Sequence, residues 1–190
     1  VKEAYFQKLN GIFSRVECKN HTGQTLSFDK AVQLVIQWIM RLESEGKKVF
    51  LIGNGGSASI ASHTSIDLLK NAHVRSLTFN DASLLTCISN DLGFEFVFET
   101  PIRLLGETGD ILFSISSSGR SKNILRATQK ARQKGLLVVT FSGFSQNNPL
   151  RKLGDVNFYV PSPSYGFVEI VHLVICHCIV DHLMQHYRRG

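Results

Sequence analysis

A chain of 190 residues with 43% hydrophobic and 19% charged residues has the composition of one globular domain with a substantial core. Its formal net charge of +6 comes from scattered lysines and arginines with no basic stripe interleaved with aromatics, so no nucleic-acid partner is expected, and the excess suits an anionic small substrate. No apolar run approaches the roughly 20 residues of a membrane span and no secretory signal opens the chain, so no membrane contact and a cytoplasmic location are expected.

In chain order, Tyr5, Leu9, Phe13 and Val16 share one face of a helix over 1–18, and 19–25 reads as a polar linker. Ala31, Leu34, Val35, Trp38, Ile39 and Leu42 make an amphipathic helix of 28–45, closed by Gly46. Short apolar segments then alternate with helical patterns: strand 48–52, helix 57–70, strand 75–79, helices 81–89 and 95–105, strand 110–115, helix 121–134, strands 136–142 and 155–160, and helix 166–187. The pattern predicts an α/β fold, a three-layer doubly wound, mostly parallel sheet. The two leading helices exceed what a small α/β domain needs, and their faces are read either as packing on the domain or as burying against another subunit. The four cysteines, Cys18, Cys87, Cys176 and Cys178, read as reduced, buried structural thiols.

Two strand-to-helix turns carry the chemistry. Val49–Ile52 runs into Gly53-Asn54-Gly55-Gly56-Ser57-Ala58-Ser59. Glycines there let the backbone approach an anion, and hydroxyls sit at a helix N-terminus, where free N–H groups and the helix dipole favour negative charge. Asp110–Ile115 runs into Ser116-Ser117-Ser118-Gly119-Arg120-Ser121, which surrounds one turn with hydroxyls, a glycine and a guanidinium. Neither is a P-loop, and Ala58 replaces the last glycine of a dinucleotide fingerprint. A small sugar phosphate fits better than ATP or NAD. His63 and Asp67 are i, i+4 and reach one point from a helix face. Glu169 and His177 are eight apart, about 12 Å along one helix, so a shared point requires strong convergence, a Glu169 that precedes the regular helix, or ligands from different subunits. His182 and His186 read as structural or solvated, and His172 as a neighbour of the Glu169–His177 face.

Taken together, Gly53-Asn54-Gly55-Gly56-Ser57, His63 with Asp67, Ser89-Asn90-Asp91-Leu92-Gly93-Phe94, Ser116–Ser121, and a last helix with Glu169, His172 and His177 resemble the sugar isomerase (SIS) family, in its phosphoheptose isomerase branch. The resemblance spans the first helix to the last. It implies one SIS domain over 1–190, with helices in 1–47 for oligomerisation and an α/β core in 48–190. It also implies a homotetramer and conversion of sedoheptulose 7-phosphate to D-glycero-D-manno-heptose 7-phosphate for lipopolysaccharide and related glycans. By motif, Asn54, Gly55, Gly56, Ser57, Ser116, Ser117, Ser118 and Ser121 bind substrate, mainly its phosphate, and Asp91 contacts sugar hydroxyls. Zinc is the implied cofactor, with His63, Asp67, Glu169 and His177 as ligands. Asp67 is the implied base and His177 the acid, with Glu169 the base if Asp67 is a metal ligand. The chain departs from the pattern at Asp67, where Glu is usual, at Glu169, where Gln is usual, and at Arg120, where Asn is frequent. The alternatives are isomerisation of a different sugar phosphate, or a SIS protein that binds a sugar phosphate or a replication initiator without chemistry.

Overall fold

The computed structural model describes residues 1–187 and, at His186 and Tyr187, the helical backbone alone, so the reading of the His186 side chain falls outside the described residues. In chain order the elements are α1 (Lys2–Phe13), β1 (Glu17–Asn20), β2 (Thr25–Leu26), α2 (Phe28–Arg41), β3 (Val49–Gly53), α3 (Gly56–Asn71), β4 (Ser76–Thr78), α4 (Ala82–Asp91), α5 (Glu99–Leu105), β5 (Ile111–Ser116), α6 (Lys122–Gln133), β6 (Leu137–Ser142), β7 (Val156–Tyr159) and α7 (Tyr165–Tyr187). The helix expected over 95–105 begins later. Phe94–Phe96 forms a 3-10 turn, and Pro101 sits in the first turn of α5, where its missing N–H is not needed.

The strands form one sheet in the order β2-β1-β7-β6-β5-β3-β4. The five strands from β3 onward are mutually parallel, and β1 and β2 add an antiparallel edge. The chain leaves β3 outward to β4 and then returns to β5 on the other side. This reversal puts a crevice at the carboxyl ends of β3 and β5, the usual ligand position in a doubly wound sheet.

Alternation along each strand divides the interior. Val49 and Leu51, with Phe113, Phe141 and Phe158, face α2, α3 and α7. Phe50 and Ile52, with Leu112 and Val138, face α5 and α6. Three layers result, as the sequence pattern predicts. At the opposite end of the strands, buried Asp110 pairs with Lys48 Nζ at 2.9 Å and accepts from the Lys48 and Glu107 amides, tying the entry to β3 to the turn before β5.

The N-terminal region is not helical throughout. The helix ends at Phe13, and 17–26, expected as helix end and linker, is a hairpin that extends the sheet. Asn20 Oδ1 organises its turn by accepting from Thr22 N, Thr22 Oγ1 and Gln24 N, and Gly23 takes φ +84°. Buried Cys18 faces the core between outward Glu17 and Lys19, an alternation too short to stand out from a helical continuation. Ile12, Ala31, Val35 and Ile39 join the same core as the sheet, so much of the leading apolar surface packs on the parent domain.

Helix α7 also corrects an expectation. Tyr165–Gln185 is long and apolar enough to cross a membrane by length and composition. In this fold it lies against α2 and α3, with Val168, Val171, Ile175, Ile179 and Leu183 buried. Cys18 and Cys176 are buried, and burial pushes each thiol up to about 12, so both are inert. Cys87 is exposed and Cys178 only partly covered, contrary to the expectation of four buried thiols.

Candidate active site at the sheet crossover

Gly53 closes β3 with no room for a side chain, since a Cβ there would lie 2.4 Å from Ser57 O. Gly55 turns the backbone with φ +54°, and α3 starts at Gly56. On the neighbouring strand, β5 ends in Ser116, Gly119 turns with φ +61°, and Ser121 stands at the N-cap position of α6. The two loops are joined by a reciprocal amide pair. Asn54 Nδ2 donates to Asn123 Oδ1 at 2.9 Å, and Asn123 Nδ2 donates to Asn54 Oδ1 at 2.8 Å. Two helix N-termini therefore open on one point.

That point is a small cavity of about 130 Å³, lined by Asn54, Ser57, Ser116, Ser117, Ser118, Ser121, Tyr165 and Glu169. Six of these are predicted phosphate-binding residues. Ser117 Oγ is buried without a hydrogen-bond partner, and Ser121 Oγ makes no capping bond, receiving only a 3.4 Å contact from Ser116 Oγ. A hydroxyl buried without a partner in a polar cavity is a donor waiting for an acceptor. Gly55 and Gly56 shape the rim rather than line it. Arg120 is exposed and absent from the lining, so the cavity offers neutral donors and helix N-termini beside the Glu169 carboxylate, with no guanidinium.

The serine loop is braced from behind. Asn148, fully buried, donates to Ser142 Oγ, Gly143 O and Ser145 O, and its Oδ1 occupies the space a Gly119 side chain would take. Leu150 N donates to Gly119 O, and Gly143 N to Ser117 O. Sequence reasoning passed over Asn123, Asn148 and Tyr165. Asn123 lies just past the serine loop, and the other two lie in segments with no motif.

Farther along α3, one turn apart, His63 and Asp67 face α7. His63 Nε2 lies 3.2 Å from Asp67 Oδ2, and His177 Nδ1 lies 3.7 Å from the same oxygen. The imidazoles meet edge to face at 5.0 Å, and Asn71 Nδ2 holds Asp67 Oδ1 at 3.1 Å. The three donor atoms lie within 4.8 Å of one another. Two imidazoles and a carboxylate with open solvent on one side fit a zinc-like divalent ion that keeps a position for substrate.

Within this chain Glu169 does not join this group, so the strong convergence that a shared point requires is not made by one subunit alone. Two turns earlier on α7, its carboxylate lies against Gly56, where a Cβ would come within 2.5 Å of it. The rise of about 12 Å between Glu169 and His177 is kept, because α7 runs as helix across both. His172 points elsewhere. It is fully buried, Nε2 lies 3.2 Å from Ser142 O, and burial lowers its pKa to about 4, so it belongs to the interior rather than to the cluster. Asp91 is exposed at the end of α4, held by Asn90 Nδ2 at 2.9 Å, and does not line the cavity within this chain. His182 Nδ1 bonds the Cys178 carbonyl at 2.7 Å, the structural role expected of it.

Residues 4–143 match the SIS domain profile. The chain is 34% identical over 165 residues to the phosphoheptose isomerase of Shewanella denitrificans, covering 83% of this chain and 82% of the relative. The structure of phosphoheptose isomerase from Neisseria gonorrhoeae superimposes with a TM-score of 0.74 at 30% identity, over 82% of this chain and 84% of that one. That of a phosphoheptose isomerase from Francisella tularensis gives a TM-score of 0.82 at 25% identity over 96% of each chain. The profile, the relatives and the geometry agree: the chain belongs to the SIS domain family, in its phosphoheptose isomerase branch.

Proposed function

We propose that this protein is an aldose–ketose isomerase of sugar phosphates that converts sedoheptulose 7-phosphate to D-glycero-D-manno-heptose 7-phosphate. The observation that carries the reading is the placement of two unlike sites on one helix. Ser57, in the phosphate cavity, and His63, in the cluster, are six residues apart on α3, about 9 Å along its axis. That is the reach of an extended seven-carbon chain with a terminal phosphate. With the phosphate among the serine hydroxyls and helix N-termini, carbons 1 and 2 come to the His63–Asp67–His177 end.

Isomerisation needs a base for the proton on the carbon next to the carbonyl, and an acid for the oxygens. Asp67 takes the carbon proton and returns it to the adjacent carbon. His177, within reach of the same carboxylate, moves the proton between the oxygens. Asn71 fixes the Asp67 carboxylate, and His63 holds its other flank. Glu169, at the phosphate end, accepts bonds from sugar hydroxyls. The same three side chains, His63, Asp67 and His177, would instead hold a divalent ion such as zinc, which would polarise the carbonyl and stabilise enediolate charge; Asp67 serves as the base only where it is not a ligand.

A homotetramer accounts for the apolar side chains left exposed on α1, α3 and α7, namely Tyr5, Phe6, Ile66, Leu69 and Val174. A cytoplasmic location and a role in heptose supply for lipopolysaccharide follow from the same reading. Binding without chemistry is the weaker reading, because it has no use for the three-residue cluster. The test is turnover of sedoheptulose 7-phosphate by metal-stripped protein and after zinc is restored. Aldose formation in either state supports the isomerase. Tight binding with no aldose in both states moves the assignment to a binding protein.

A further inference from the structure

We propose that the cleft between the β1–β2 hairpin and residues 146–152 is a second ligand site, built for a small molecule with closely spaced anionic groups, such as a bisphosphorylated sugar. The cleft encloses about 610 Å³ and shares no lining residue with the serine cavity. That volume lies within the range of small-ligand sites.

Its lining brings together Lys19 from β1, His21 from the hairpin turn, Gln146 and Asn147 from the opposite loop, and Arg151 and Lys152. Among the described residues, no acidic side chain and no Phe, Tyr or Trp lines it. The Arg151 guanidinium is already engaged. It pairs with Glu17, donates to Gln146 O at 3.1 Å and lies 4.2 Å from the Tyr159 ring centroid. Lys19 and Lys152 form no ion pair among the described residues, so two ammonium groups border the cleft uncompensated.

Both walls are set before any ligand arrives. Asn20 fixes the hairpin turn through three bonds, and buried Asn148 fixes the opposite loop, its Oδ1 also accepting from Arg151 N at 3.1 Å. Cations and amides on rigid walls recognise phosphoryl oxygens and hydroxyls. No Phe, Tyr or Trp offers a nucleobase a broad face to stack on, and the amides of Gln146 and Asn147 suit sugar hydroxyls.

The test is calorimetric titration of the whole protein with inorganic pyrophosphate at low ionic strength. It compares the parent, a Lys19→Ala/Lys152→Ala double variant, Asn147→Asp, and Ser118→Asp, which places a negative charge in the serine cavity. These side chains are exposed or half-exposed, and unchanged melting verifies each fold. Pyrophosphate binding should persist in Ser118→Asp, and weaken about tenfold for each lysine lost, the worth of one charge-assisted bond. Asn147→Asp should weaken it similarly by adding a negative charge while both lysines remain. No binding to the parent would overturn the proposal. So would binding abolished by Ser118→Asp but unchanged in the other two variants, which would assign the anion to the serine cavity.

Discussion

Asp67 is held by three neighbours: Asn71 fixes one carboxylate oxygen, and His63 and His177 address the other. Replacing it with Asn keeps the shape and removes the carboxylate proposed as the base. Turnover of sedoheptulose 7-phosphate by Asp67→Asn should fall on the order of 10²- to 10⁴-fold, the usual worth of a positioned base, with melting unchanged. Glu169→Gln should keep turnover within about tenfold of the parent and change mainly KM, since this side chain sits at the phosphate end. The opposite pattern in the pair would transfer the base role to Glu169. His172 carries a separate consequence. Its pKa is lowered from 6.5 to about 4 by burial, so between those values the unfolded chain binds a proton that the folded chain does not. Its contribution is full above pH 6.5 and is lost as pH falls towards 4, on the order of 3 kcal/mol in all. Denaturant midpoints across that range should flatten in His172→Gln, which cannot titrate. The sequence placed His63 with Asp67 correctly because i, i+4 spacing is rigid. It drew Glu169 into the same ligand set by resemblance, although eight helical residues already imply separation. What it could not show is that α7 crosses α3 at the level of His177.

The serine loop is an element that holds its shape through a neighbour. Gly119 combines φ +61° with an Asn148 oxygen in the space of a Cβ. Gly119→Ala should cost about 1–3 kcal/mol and raise KM for the sugar phosphate, because the loop must shift away from Asn148. Steady-state kinetics and thermal melting together check this, and a variant with parental KM and stability would show the brace to be idle. Both glycine turns were legible in the sequence, since an apolar run ending in glycine and serine has few other uses. The β1–β2 hairpin was not. A two-residue strand and a four-residue partner leave no periodicity to detect, and the stabilising bonds come from β7, more than a hundred residues away. Asn20, Gly23 and the short alternation around Cys18 were its only local signs.

At the scale of the whole molecule, the order of strands puts the cavity where it is. Had the chain returned on the same side of β3, the ends of β3 and β5 would not have formed a crevice. The alternation of apolar strands and helices carries this architecture in the sequence, whereas the surface that the amphipathic face of α2 packs on is set only by the folded sheet. Asp110 secures the far end of the same strands, and Asp110→Ala should destabilise the fold by about 2–4 kcal/mol by leaving two amides and Lys48 without their acceptor. Denaturant unfolding reads this directly. The central claim is that the two ends of α3 hold a seven-carbon sugar phosphate for proton transfer. Its most direct test is carbon-13 NMR of sedoheptulose 7-phosphate incubated with the purified protein, zinc-loaded and metal-stripped. Appearance of D-glycero-D-manno-heptose 7-phosphate with the parent protein is predicted, and ketose left unchanged in both states would contradict it.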